Sequence, residues 1–188
     1  MSTNTTTLIN GIDTQALLGT IEAVREDSTR GLAGFHVTTR WTGGTGTEST
    51  IDHWTLGGAR LERTHIVRTD EPIELCGQNR HANPQEVLMS ALNGCMTVGY
   101  IALFALHGIE VESLSIETKG TLDLRGFLGL DGAVNPGYDD VEYTVRVRAN
   151  GSPEQIEEIH RIVMATSPNF ANFSRPITLK PRLVVDAA

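Results

Sequence analysis

The chain has 188 residues, 20% of them charged, a formal net charge of −8 and two cysteines. That length suits one domain with a substantial core, and the acidic balance without a Lys/Arg cluster excludes a nucleic-acid surface; two cysteines are too few for a disulfide scaffold. No basic, apolar leader opens the chain, and the longest apolar run, about Met96 to Leu106, is too short and interrupted for a bilayer span, so a cytoplasmic protein without membrane partners is expected.

Residues 1–10 are polar and threonine-rich, and disorder is expected at the very start. A short helix is predicted from Asp13, with Ala16, Leu17, Ile21 and Val24 on one side and Glu22 and Glu26 on the other. The charged run Arg25 to Gly31 connects it onward, so residues 1–32 are an extension and residues 33–188 the main domain. Phe35 to Trp41 alternates as a strand, and the glycine-rich stretch 42–46 turns the chain. Ser49 to Leu56 and Leu61 to Val67 alternate again across Gly57 and Gly58. Glu71 to Cys76 is predicted as a shorter strand, with Pro72 placing its start at a sheet edge. These strands and glycine turns form an antiparallel meander.

The longest predicted helix begins at Asn83, an N-cap, followed by Pro84 at the first helical position and Glu86 where a capping-box acid reaches back; Gly108 stops it. Leu88, Ala91, Leu92, Cys95, Val98 and Ala102 fall on one apolar face. Gly94 and Gly99 interrupt this helix at about 1 kcal/mol each relative to Ala, which suggests close packing or binding against its backbone. Val111 to Leu124 is predicted as a strand, Arg125 to Tyr138 as a long glycine-rich loop, and Val141 to Ala149 as a cleanly alternating strand. Ser152, Pro153 and Gln155 open a second helix that Pro168 ends, and Ile177 to Val185 is a final strand. Strands, helix, strands, helix and strand without βαβ alternation indicate an α+β fold with largely antiparallel sheet.

Cys95 is the leading candidate for chemistry, although a free cysteine on a buried helix face is commonly a core residue. It lies too deep in the helix for the macrodipole to help, so a reactive thiolate needs a cation or strong hydrogen-bond donors. Cys76 ends the loop-side strand and could meet Cys95 in space as a resolving partner. Arg80, nearest in sequence, and Arg40 and Arg30 are candidate cations. Glu86 lies on the face opposite Cys95, nine positions away at about 100° each, whereas Gln85 points nearer the thiol. His36, His53, His65, His81, His107 and His160 show no metal-ligand spacing, and neither a phosphate loop nor a dinucleotide fingerprint is present, so no metal or cofactor is expected.

The run Asn83-Pro84-Gln85-Glu86-Val87-Leu88, with Ala91 and Gly94-Cys95, resembles the cysteine helix of the OsmC/Ohr family of osmotically inducible and organic-hydroperoxide-resistance proteins. The order of elements from about residue 33 to 185 is similar too. The resemblance implies an intertwined homodimer with long central helices, sheets wrapped outside and active sites at the subunit interface. It also implies a peroxidatic role for Cys95, with a hydroperoxide as substrate and an outside thiol as reductant. Where the family carries its second cysteine, before a proline at the end of the second helix, this chain has Ser167. Gln85 occupies the place of the family's helix-start glutamate, with Glu86 one position later. Gly43-Gly44-Thr45 stands about where the family's arginine follows the first strand, and the 125–138 loop looks like an insertion. The expected function is thiol-dependent hydroperoxide reduction, with Cys76 or an external thiol resolving Cys95. The alternative is a non-enzymatic protein on the same scaffold that holds a small hydrophobic ligand between the apolar loop Phe127 to Leu130 and the interface.

Overall fold

The computed structural model describes residues 8–186. The disorder expected at the very start lies outside these residues. Leu8–Ile9 (β1) and Ile12–Asp13 (β2) pair antiparallel around Asn10 and Gly11. Asn10 pins this hairpin to the main domain: its amide donates to the Ile109 carbonyl (2.8 Å) and its Oδ1 accepts from the Val111 N–H (2.9 Å). Asp13 then caps α1 (Thr14–Glu26) by accepting from the Ala16 N–H, as its position before the apolar run predicts. A 3-10 turn, Ser28–Gly31, capped by Asp27, replaces much of the predicted connection.

Ala33–Phe35 (β3), Thr38–Gly43 (β4), Gly46–Leu56 (β5) and Ala59–Thr69 (β6) form one antiparallel sheet. The strand β5 is central, with β6 on one side and β3 and β4 end to end on the other. The single strand expected over 35–41 is broken at His36 and Val37 because β5 carries an extra residue opposite them. Ile51, Asp52 and His53 stand across from those two positions, between the Phe35–Trp54 and Thr38–Thr50 pairs. The β5–β6 register slips at the same place, between Ile51 and His53, so both ladders are irregular there.

The strand predicted at 71–76 does not form. Asp70 is buried (4% exposed), and its carboxylate accepts from Thr45 Oγ1 (2.6 Å) and from the N–H groups of Glu71, Gln78 and Arg80. Those bonds curl the segment into a 3-10 turn, Ile73–Leu75, ending at Cys76 with a left-handed φ of 63°. A Cβ on Gly77 would stand 1.7 Å from the Glu71 carbonyl oxygen, so this turn admits only glycine.

The capping box of α2 (Pro84–Leu106) is complete: the Glu86 N–H donates to Asn83 Oδ1 and the Asn83 N–H to the Glu86 carboxylate. By length and composition α2 could cross a membrane, contrary to the expectation from its apolar run. It is a core helix instead: Leu92, Met96, Tyr100 and Phe104 are buried against α4 and the β7–β8 pair described next. Within this chain the buried stripe shares only Leu92 with the face predicted to meet a core or a partner helix. Leu88, Ala91 and Val98 are exposed, and Cys95 lies at the border, half-buried. Because α2 is apolar nearly all round, periodicity could not select which side meets the core.

Val111–Lys119 (β7) and Glu142–Ala149 (β8) pair antiparallel. Leu114, Ile116, Tyr143, Val145 and Val147 pack onto the core, while Arg146–Glu117 and Arg148–Glu112 ion pairs occupy the solvent side. Between these strands the predicted long loop contains a short helix, α3 (Leu124–Phe127), so the strand expected to reach Leu124 stops at Lys119. Ser152 and Gln155 form the second capping box at the start of α4 (Pro153–Thr166), which places Ile159 and Val163 in the core. Pro168 ends α4 and also opens α5 (Pro168–Ser174) at its first position. The strand expected at Ile177 to Val185 does not form; Leu179 and Leu183 are exposed, and no strand among the described residues pairs with this segment. The fold is α+β with antiparallel sheets throughout.

Candidate functional site

Cys95 sits in the fourth turn of α2 and meets the junction of α4 and α5. There the Ser167 hydroxyl, in a residue 6% exposed, donates to Cys95 Sγ at 3.4 Å. Ser167 also caps α5 by accepting from the Phe170 N–H, so its oxygen is held at both ends. Two residues on, Asn169 donates to the Ala91 carbonyl (2.8 Å) and clamps α5 against α2 one turn before the thiol. The sulfur therefore has one oriented donor from a neighbouring helix, in a partly exposed position.

Beside it lies an open cleft of ≈ 920 Å³, mostly apolar, between α2, α5 and the start of β8. Gln85, Leu88, Ala91, Leu92, Tyr143 and Phe170 are among its lining residues. It reaches Ala91 and Leu92, so it ends about one helical turn short of Cys95. The residues expected to form an apolar wall from the long loop, Phe127 to Leu130, do not line it; Gly137 to Asp140 do.

Within this single chain the predicted site residues are not gathered in one place. Gln85 faces the apolar cleft. Glu86 is exposed and spent on the capping box, which is the bland alternative to a catalytic role. Cys76 and Arg80 line a separate polar cavity at the end of the four-stranded sheet, with Thr45, Arg68, Asp70 and His81. Arg40 is paired with Glu48, which Arg68 also contacts. Both cysteines are free thiols. The contact that sequence reasoning missed is Ser167 with Cys95. The place of Ser167 before Pro168 was visible, but its approach to a residue 72 positions away was not.

Deeper under α2, the Tyr100 hydroxyl shares a hydrogen bond with His160 Nδ1 of α4, and the rings stack. Burial, with a smaller contribution from nearby Tyr143, pushes the Tyr100 phenol up to about 12. This pair braces the two helices that hold Cys95 and Ser167.

A long core helix presenting a single half-buried thiol to a second helix pair, with an antiparallel sheet leading into it, defines an α+β protein built around one cysteine. The family model for OsmC-like proteins matches residues 77–182, more than half of the chain and all of the helix–sheet core. The chain belongs to the OsmC-like protein family. Among solved structures it is similar to an OsmC-like protein from Mycoplasma pneumoniae, with a TM-score of 0.56 at 13% identity, covering 74% of this chain and 86% of that one. It is also similar to an OsmC-like protein from Vibrio cholerae, with a TM-score of 0.54 at 15% identity, covering 74% and 92%. At such identities these likenesses establish the fold alone. No curated protein matches the chain.

Proposed function

We propose that the protein reduces hydroperoxides through Cys95, as a stress-defence enzyme of the cytoplasm, with a small external thiol as reductant. The observation that carries this reading is the Ser167 hydroxyl directed at a half-buried Cys95 sulfur beside an apolar cleft. The thiolate is the form that attacks, and the Ser167 hydroxyl is an oriented donor to that sulfur. The thiolate attacks one peroxide oxygen, the O–O bond breaks, and the leaving alkoxide takes a proton and departs as alcohol. Cys95 is left as a sulfenic acid. The cleft suits a hydroperoxide with a hydrocarbon substituent.

Ser167 cannot form a disulfide, and Cys76 lies in the polar cavity with Arg80 rather than at Ser167. That separation within one chain supports resolution of the sulfenic acid by an external thiol. One thiol displaces water to give a mixed disulfide on Cys95, and a second releases Cys95 and leaves as the external disulfide.

The active form in this reading is a homodimer. Val98 (69% exposed), Phe35 (72%) and Trp41 (75%) leave an apolar face of α2 and the four-stranded sheet uncovered, and Gly94 has nothing within 4 Å of where a Cβ would be. The sheet makes no extensive contact with α2, α4 or the β7–β8 pair of its own chain. A second copy covers these surfaces.

The test is consumption of an organic hydroperoxide with a thiol reductant. Cys95→Ser falls to the uncatalysed background and Cys76→Ser keeps wild-type turnover; undiminished consumption by Cys95→Ser refutes the proposal. One observation favours a second reading, as a non-enzymatic carrier of a hydrophobic ligand: the cleft is lined by Tyr143, Phe170 and Phe173 but not by Cys95. A ligand retained in native mass spectrometry, together with an inert Cys95, would support that carrier.

A further inference from the structure

We propose that His36, Asp52 and His53 form a binding site for a divalent transition-metal ion, zinc foremost, on the four-stranded sheet. None of the three takes part in the thiol chemistry proposed above. One ligand atom from each, an imidazole nitrogen or a carboxylate oxygen, lies within 4.8 Å of the other two. The sequence hides this set because His36 lies in the break between β3 and β4 while Asp52 and His53 lie in β5, with no metal-ligand spacing.

The backbone explains how they meet. In a regular strand Asp52 and His53 would point to opposite faces. Here β5 carries its extra residue against His36 and Val37, and the β5–β6 ladder slips at the same position. Such irregularities re-aim side chains and are enriched next to functional sites. As a result Asp52 Oδ1 lies 2.5 Å from His53 Nδ1 and 3.5 Å from His36 Nδ1, and the two imidazoles stack at 4.8 Å between centroids, 28° from parallel.

One of these distances already matches a tetrahedral ion, and a second comes within reach of it. Bonds of about 2.0–2.2 Å hold neighbouring ligand atoms roughly 3.3–3.5 Å apart. The His36–Asp52 edge already has that length. The His53–Asp52 edge must open by about 1 Å, within the swing of a carboxylate whose side chain is 53% exposed. Arg60, a cation of the neighbouring strand, is engaged by Glu62 at 2.6 Å.

Two imidazoles and one carboxylate select borderline divalent ions over calcium or magnesium, which require oxygen-rich cages. Three protein ligands leave the fourth zinc position open to water or to a side chain from another molecule.

The test is titration of the full-length protein with zinc by calorimetry and with cobalt(II) by absorbance. Wild type and the Cys76→Ser/Cys95→Ser double variant should each bind one ion per chain. Cobalt should show visible ligand-field bands without thiolate charge transfer. His36→Gln, His53→Gln and the near-isosteric Asp52→Asn should each weaken binding by more than the roughly tenfold to hundredfold that loss of a ligand's hydrogen-bond partner costs. Circular dichroism of Asp52→Asn identical to wild type shows that the fold survives. The site is refuted by the absence of saturable binding below about 1 mM, the weak limit of even extracellular calcium modules. It is equally refuted by binding unchanged in Asp52→Asn and His36→Gln, or by binding lost with the cysteines.

Discussion

Replacing Ser167 by cysteine should give the protein an internal disulfide partner for Cys95. The Ser167 oxygen stands 3.4 Å from Cys95 Sγ, and a disulfide needs about 2.05 Å between sulfurs. The remaining closure of roughly 1.3 Å is shared by two side chains, one of them lengthened by the larger atom. The residues lie 72 positions apart. Chain-entropy cross-linking of a loop that long is worth about 4.4 kcal/mol, an upper figure because engineered bridges often deliver less. For a chain of this size that corresponds to a Tm gain of order 10 °C between reduced and oxidised Ser167→Cys. The assay is one equivalent of hydroperoxide, then alkylation and intact mass under non-reducing conditions. A monomeric species that has lost two hydrogens and resists alkylation at both positions is expected. If both thiols stay alkylatable, or if the bridge appears only between chains, the placement of Ser167 against Cys95 within one chain is wrong.

Tyr100→Phe removes the bond to His160 and should cost about 0.5–1.5 kcal/mol in chemical denaturation. The Tyr100 phenol is raised to about 12 by burial, so its contribution to stability is complete below pH 10 and is lost as pH rises through about 12. A tyrosinate absorbance titration should show a late step coincident with alkaline unfolding, and Tyr100→Phe should lack it. Val98→Arg places a charge on the exposed face of α2 and should turn the proposed dimer into monomers by light scattering, with helix content kept; a wild-type monomer at working concentration refutes the dimer.

Local chemistry was legible where a few adjacent residues decide the outcome. Asn83, Pro84 and Glu86 announced the start of α2, and Ser152 with Gln155 that of α4, because both capping boxes close within one turn. The alternation of β8 announced its buried side for the same reason. What depends on distant partners was hidden. The apolar circumference of α2 gave no clue to which stripe the core would take. The alternating 71–76 segment became a 3-10 turn because Asp70 captured its N–H groups, and 177–185 has a strand's composition without a neighbouring strand to pair with. At the candidate site the cysteine was visible from its helix, whereas the serine facing it and the histidine pair on the sheet arise from contacts across the chain and from a register slip.

The connection between sheet and helix carries one last consequence. The Asp70 N–H donates to the Ala82 carbonyl, while its carboxylate holds the N–H groups of Gln78 and Arg80, and the Asn79 N–H donates to the Glu71 carbonyl. The segment is cross-braced like a bracket and does not act as a slack tether. In the proposed dimer, a second copy docked onto the outer strands would thereby be held at a set angle and distance from the rod bearing the sulfur, so that assembly and reactivity would share one mechanical joint.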